Sequence, residues 1–396
     1  MTARFPLRAL VIAPQPFFSP RGTPFSVYYR TSVLAELGVT VDLLTYGQGQ
    51  DVDLPGVRII RIPNFSWLGA IKTGPSALKL FLDGFMFLWS VGLLLRRRYD
   101  FVHAHEEVVF YCRYLKPLFR FKLLYDMHSS LPQQLDNFDF TKSKTIKGLF
   151  KHLEDSSLKA ADAVITICPD LAEYVTDLLG DDPKHFLIEN SIFEPVRLKD
   201  GGDKSVSAPT PVALPAGRKV VIYAGTFEKY QGLDLLIPAF AAVLKEVPQA
   251  LLLMVGGDDQ QVETMRNLAA DCGITDDVIF TGRVPQQLAK HYNALADVLT
   301  SPRSAGTNTP LKVYEQLASG TPLVATRIYS HTQVLSEADT FLVEPNAADM
   351  ARGIVAALTD SDAANARVAA AQALYKAEYS RPAYVAKMTR LLERLS

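Results

Sequence analysis

At 396 residues the chain is too long for one ordinary domain and implies two or three. Its 48% hydrophobic and 21% charged residues suit a globular protein with ample core, and a formal net charge of -1 excludes a polyelectrolyte mode of binding nucleic acid. Cys112, Cys168 and Cys272 are odd in number, far apart and without metal-ligand spacing, so they read as buried thiols in a reducing compartment.

The chain starts on a short segment that runs straight into the strand-length apolar stretch Ala9 to Ala13, and no signal peptide is expected. The first half alternates β-branched runs with helical patterns, which predicts a parallel sheet with crossover helices. Strands are expected at Leu10–Ala13, Val41–Thr45, Val57–Ile60, Phe101–His105, Lys122–Tyr125 and Ala163–Ile167. Between the first two, the loop Ser19 to Pro24 with Gly22 leads into a helix through Leu37. Strand, glycine-containing loop and helix make a layout suited to phosphate, although it is not a GxGxxG dinucleotide fingerprint.

Leu78 to Leu95 is the most membrane-like stretch, yet it holds Lys79 and Asp83 and ends in Arg96, Arg97 and Arg98. A buried helix is the favoured reading, with an interfacial role left open. His103 and His105 stand two apart on a strand ahead of Glu106 and Glu107; no metal site is expected from them. His128 opens a polar loop after a buried strand, where ligands of α/β domains bind. Residues 1–150 hold 18 Lys and Arg against 11 Asp and Glu, interleaved with aromatics in 119–122 and 142–150. Such a patch suits an anionic membrane surface.

Residues 199–217, rich in glycine, serine and proline, predict a linker. Alternation then restarts with strands at Val220–Gly225, Ala250–Gly257 and Val278–Gly282 and a helix from Leu233 to Val247. Ser301 to Thr326 carries the most information: a Gly- and Pro-punctuated loop, a short helix bearing Lys312 and Glu315, then Gly320-Thr321-Pro322 and an apolar strand. A loop feeding a helix N-terminus offers unpaired N–H groups and the positive end of a dipole to a diphosphate. Lys312 and Glu315, three apart, share one helical face, so a cation meets phosphate while a carboxylate accepts from ribose hydroxyls. The last helix, Pro382 to Leu395, has apolar residues at Val385, Met388, Leu391 and Leu392 and must pack on something. No GxSxG, P-loop or Ser-His-Asp arrangement is present.

The run Glu315 to Thr326, supported by Gly282-Arg283-Val284-Pro285, Asp162 to Thr166, Asp100 to His105 and the Tyr125 to Ser130 turn, resembles the family 4 glycosyltransferases of the GT-B fold. The resemblance covers essentially the whole chain. It implies an α/β fold of two doubly wound, Rossmann-like domains facing a central cleft: an acceptor-side domain at 1–198, the linker at 199–217, a nucleotide-sugar domain at 218–378 and a C-terminal helix at 379–396 returning to the first domain. It implies a retaining hexosyltransferase acting from a nucleotide-sugar, a UDP-sugar favoured, on a lipid, lipid-linked or polysaccharide hydroxyl. No metal or other cofactor is implied. The expected location is cytoplasmic, peripheral at the inner membrane face.

By the same resemblance Glu315 binds ribose, Arg283 and Val284 flank the base, and Thr309, Pro310 and Leu311 face sugar and phosphate beside Thr307 and Asn308. Gly22 approaches the diphosphate from the other domain and His128 stands beside the transferred sugar. Two departures stand out. Thr307 occupies the place of the family's first glutamate, and in Gly225 to Gly232 Thr226 or Phe227 falls where an arginine is usual and Gln231 where a lysine is. Lys312 as principal cation, with Arg303 and then Lys229, is expected to replace them. Those losses keep a non-catalytic GT-B subunit as an alternative; a nucleotide-sugar epimerase or hydrolase on the same fold is the other, against which Thr307 counts.

Overall fold

The computed structural model describes residues 5–19, 22–64, 69, 71, 76–130, 144–190, 193, 196–199 and 212–396. These fall into two compact units, Met1–Gly202 with Arg381–Ser396, and Asp203–Ser380. Most of the expected linker, 200–211, lies outside the described residues, as do Pro20, Arg21, Lys142 and Ser143.

The first unit is built on seven strands: β1 (Arg8–Ala13), β2 (Thr40–Thr45), β3 (Val57–Arg61), β4 (Phe101–His105), β5 (Lys122–Met127), β6 (Ala163–Thr166) and β7 (His185–Leu187). They run parallel in the order β3-β2-β1-β4-β5-β6-β7. Alternation along β1 sends Leu10 and Ile12 to one face and Ala9, Val11 and Ala13 to the other, and both faces are fully buried. The first face packs under helices that include α2 (Ala77–Arg96), α3 (Val109–Phe119) and α4 (Lys144–Ala160). The second packs against α1 (Gly22–Glu36) and the C-terminal helix, Arg381–Leu395. Tyr384, Met388, Leu391, Leu392 and Leu395 of that last helix lie in the same core as Val11 and Leu34. That answers what its apolar stripe packs on.

Two expectations need correcting. The Leu78 to Leu95 segment is helical as α2, but it is not a buried helix. Leu82, Met86, Leu93 and Leu94 face the core, whereas Leu80, Leu88 and Leu95 are 68%, 60% and 72% exposed. A segment apolar on all sides does not reveal from its sequence which side lacks a partner. By length and composition the stretch Leu78–Arg96 is long and apolar enough to cross a membrane. Cys272 is only half-buried, because it caps a surface helix, unlike Cys112 and Cys168.

The second unit repeats the plan with six parallel strands: β8 (Lys219–Ala224), β9 (Ala250–Val255), β10 (Val278–Gly282), β11 (Val298–Ser301), β12 (Leu323–Thr326) and β13 (Phe341–Val343). Their order is β10-β9-β8-β11-β12-β13. Strand order reverses between β1 and β4 in one sheet and between β8 and β11 in the other. Loops leaving the C-terminal ends of those strands are where open α/β sheets bind ligands.

Candidate functional site

In the second unit the two loops at the reversal are locked together. Gly232 has φ +69°, and a Cβ there would collide with the Pro302 carbonyl, so the β8 loop crosses the β11 loop backbone to backbone. Ser304 N donates to Tyr230 O at 2.9 Å. After Pro310 the chain enters the helix Leu311–Ala318, whose first turn carries Lys312. Its Nζ is buried 4.2 Å from the centre of the Tyr223 ring, and no hydrogen-bond acceptor reaches it. Gly225 lies close by: a Cβ built there would stand 3.7 Å from Lys312 Nζ.

Arg303 is the second cation. Its Nη1 donates to the Asn308 carbonyl at 2.9 Å, its guanidinium lies 5.1 Å from the Tyr230 ring centre, and its Nε has no partner. Gly306 leaves the room that its side chain fills. Among the described residues neither Arg303 nor Lys312 has a carboxylate within ion-pair reach. Burial, with the Arg303 charge beside it, presses the Lys312 ammonium down to about 7. Two basic side chains without a carboxylate partner beside a helix N-terminus have the chemistry to hold an anion.

One turn along, Glu315 Oε1 lies 3.4 Å from Lys290 Nζ; burial raises the carboxyl and Lys290 opposes the rise. Beneath the loop sits His331, fully buried. Its Nδ1 is 2.8 Å from the Thr326 carbonyl and so carries the proton, which leaves Nε2 to accept from Ser301 Oγ at 2.9 Å. Burial holds this imidazole down to about 4. Thr326 Oγ1 in turn donates to the Arg303 carbonyl at 2.5 Å. His331 thereby fixes the ends of β11 and β12 from which Arg303 projects. Neither His331 nor Tyr223 was singled out from the sequence; a histidine five residues beyond a Gly-Thr-Pro strand was the available signal.

The remaining expected residues are more open. Thr226 is exposed and receives the Gln231 amide at 3.5 Å, and Lys229 is exposed on a short 3-10 turn. Thr307 is exposed, its carbonyl accepting from Gln333. Asn308, Thr309, Pro310 and Leu311 are half-buried. Arg283 is 77% exposed and 3.7 Å from Asp258, next to half-buried Val284.

The first unit holds a separate cluster. His103 and His105 share one face of β4, and Asp126 stands opposite His105 on β5. Arg30, from α1, places Nε 2.6 Å from Asp126 Oδ2, with His103 Nε2 at 3.0 Å from the same oxygen. His128 Nε2 lies 3.0 Å from His105 Nδ1 and 3.4 Å from Asp126 Oδ1. Arg30 also donates to the Ile188 carbonyl at 2.9 Å and reaches the Tyr384 hydroxyl at 3.4 Å. Burial alone would raise Asp126, but Arg30 and the surrounding histidines outweigh it and hold the carboxyl well below its ordinary range. Burial lowers both His103 and His105, leaving them neutral. Gly22, at φ +31°, opens α1 with nothing near its missing side chain.

His103, His105 and Asp126 offer ligand atoms within 4.8 Å of one another. They do not fit a resident cation. Arg30 already occupies Asp126, and His103 Nδ1 and His105 Nε2 lack the outer acceptors that orient metal-bound imidazoles. On the opposite face of the sheet Tyr46 donates to Asp83 at 2.6 Å close to Glu106 and Glu107, where Glu106 adopts φ +52°. Burial lifts Asp83 to about 6 and Glu107 to about 8.

Comparison with known proteins matches residues 208–374 to Glycosyl transferases group 1 and residues 30–191 to the Glycosyl transferase 4-like domain. D-inositol 3-phosphate glycosyltransferase of Corynebacterium aurimucosum is 26% identical over 332 residues, 78% of this chain and 76% of that protein. The GDP-mannose-dependent alpha-(1-6)-phosphatidylinositol monomannoside mannosyltransferase of Mycobacterium tuberculosis is 30% identical over 211 residues, 49% of this chain and 54% of that protein. Among solved structures, sucrose-phosphate synthase from Thermosynechococcus elongatus superimposes with a TM-score of 0.70 at 23% identity, covering 98% of this chain and 99% of that one. That likeness is one of fold, two Rossmann-like halves of the GT-B kind.

Proposed function

We propose a reaction for a chain that belongs to the group 1, family 4 glycosyltransferases: it moves a hexose from a nucleotide-sugar to a hydroxyl of a lipid, lipid-linked or polysaccharide acceptor, with retention at the anomeric carbon. The observation that carries the donor assignment is the pair of basic side chains Arg303 and Lys312, without a carboxylate partner among the described residues, beside the N-terminus of the Leu311–Ala318 helix. A diphosphate in that seat compensates both charges. The same seat accounts for the loss of cations at Thr226 and Gln231: the charge has moved from the β8 loop to the β11 loop. Glu315, on the same helical face, accepts from ribose, with Arg283 and Val284 toward the base.

Retention follows from the family resemblance, and it asks for stabilisation of the departing diphosphate rather than a protein nucleophile. Arg303 and Lys312 supply that charge without a metal. His128 is the first unit's residue assigned to the reacting sugar. The mannosyltransferase relative is named for phosphatidylinositol monomannoside, and the exposed apolar face of α2 beside Arg96, Arg97 and Arg98 supports a membrane-borne acceptor here. That pairing supports a peripheral position at the membrane, and the cytoplasmic face is part of the same proposal.

Thermal-shift and calorimetric titration with UDP, GDP and ADP and their common sugar conjugates tests the donor assignment. A nucleotide that binds wild type and fails with Glu315→Ala establishes the base and the ribose contact. Absence of binding by every nucleotide brings the non-catalytic alternative forward.

A further inference from the structure

We propose that anion binding at the Arg303–Lys312 seat is coupled to protonation of Lys312, the resting seat holding an amine that loses its proton readily and the loaded one an ammonium. The proposal rests on the donor reading and specifies how that seat is regulated.

The geometry around the nitrogen makes the case. Lys312 Nζ has no acceptor in reach and rests against the face of Tyr223. From the β11 loop it faces the Arg303 guanidinium, itself stacked near Tyr230. His331, whose titration feels the Lys312 charge, is neutral with both ring nitrogens engaged by Ser301 and Thr326. On its own helix Glu315 is directed to Lys290, with Tyr375 near that carboxylate. Every charged group close to Lys312 is thus a cation or a carboxylate already paired elsewhere.

An ammonium in this place would add a second buried positive charge to Arg303 with no anion to offset either. Burial and Arg303 bring its titration to about 7, against an ordinary lysine at 10.5. A bound diphosphate reverses the balance, because the incoming negative charge favours the charged amine. One proton passes from solvent to the nitrogen lone pair, and no other bond changes. Anion affinity then becomes independent of pH below about 7 and falls by up to tenfold per pH unit above it.

The test uses the full chain labelled with 13Cε-lysine, the Lys312 signal being the one lost in Lys312→Met. Its midpoint without ligand is expected near 7 and should rise by at least about one unit in sulfate, an anion that does not itself titrate there. A midpoint near the ordinary 10.5, or no rise with sulfate, overturns the inference. In parallel, UDP-glucose, GDP-mannose and ADP-glucose are titrated calorimetrically at pH 8 in HEPES and in Tris. The dependence of heat on buffer ionisation should report between about 0.4 and about 0.9 proton taken up per nucleotide sugar, for a midpoint raised by one unit or by several, and none in Lys312→Met. Binding without uptake overturns the inference and leaves the donor reading intact. No binding by any of the three removes the donor reading, while the sulfate titration still decides the inference.

Discussion

Relocating a cation changes what it can do. An arginine and a lysine on a glycine-rich loop would meet phosphate from solvent, whereas Lys312, in the proposed donor site, would meet it from a buried position at the foot of a helix. Lys312→Ala should therefore cost donor binding ~1.5–3 kcal/mol, the worth of a charge-assisted hydrogen bond. Donor affinity within about twofold of wild type, measured by calorimetry, would remove Lys312 from the role. Asp126 presents a different case, since its removal leaves Arg30 as an uncompensated charge with no exposure at all. Asp126→Asn is expected to lower stability by ~3–5 kcal/mol, read from the urea midpoint. Lys312 and Glu315 were legible in the sequence because their relation is local, three residues on one helix. The Arg30–Asp126 pair was not, because it joins residues 96 apart in sequence and only the parallel register of β4 and β5 brings the histidines to it.

Helix α2 shows how an element can be legible in kind and illegible in setting. Its apolar run and its helical length could be read directly; that one face has no protein partner could not, since both faces are apolar. Leu80, Leu88 and Leu95 point outward, and Arg96, Arg97 and Arg98 close the stripe. If this face meets lipid, the protein should co-sediment with anionic vesicles at low salt, and Leu88→Asp should weaken that association without changing nucleotide binding. Wild type remaining in the supernatant would remove the membrane claim and leave the transferase assignment standing. The C-terminal helix is the converse, an apolar stripe with a full partner. Leu391, wholly buried among Val11 and Leu34, should cost ~2–5 kcal/mol when cut to alanine.

At the scale of the molecule, both units express one rule: polar residues gather where strand order reverses. That arrangement has a pH signature in the first unit. Asp83 and Glu107 are raised to about 6 and about 8 from ordinary values of 3.8 and 4.5, so the folded state holds protons that the unfolded state releases. Their contribution is complete below about pH 4 and is lost as pH rises through about 6 and then about 8. Melting of the first unit should fall by a few degrees between pH 5 and 9, and Glu107→Gln should flatten that slope. An unchanged slope in the variant would assign the pH dependence to other groups. The two-unit plan was legible because strand and helix patterns restart after residue 217. The carboxylate cluster was not, since Tyr46, Asp83 and Glu107 come from three separate segments of chain.

The return of the C-terminal helix to the first unit has a consequence for how the protein is made. Domains generally fold as they emerge from the ribosome, the N-terminal one first. Here a segment translated before the second unit waits for one translated after it, because the face of its sheet carrying Ala9 and Val11 is covered in part by Tyr384, Met388, Leu391 and Leu392. A nascent chain stalled before Arg381 should expose its first unit to protease, and release of the last sixteen residues, Arg381–Ser396, should protect it. The unit begun first is the one completed last.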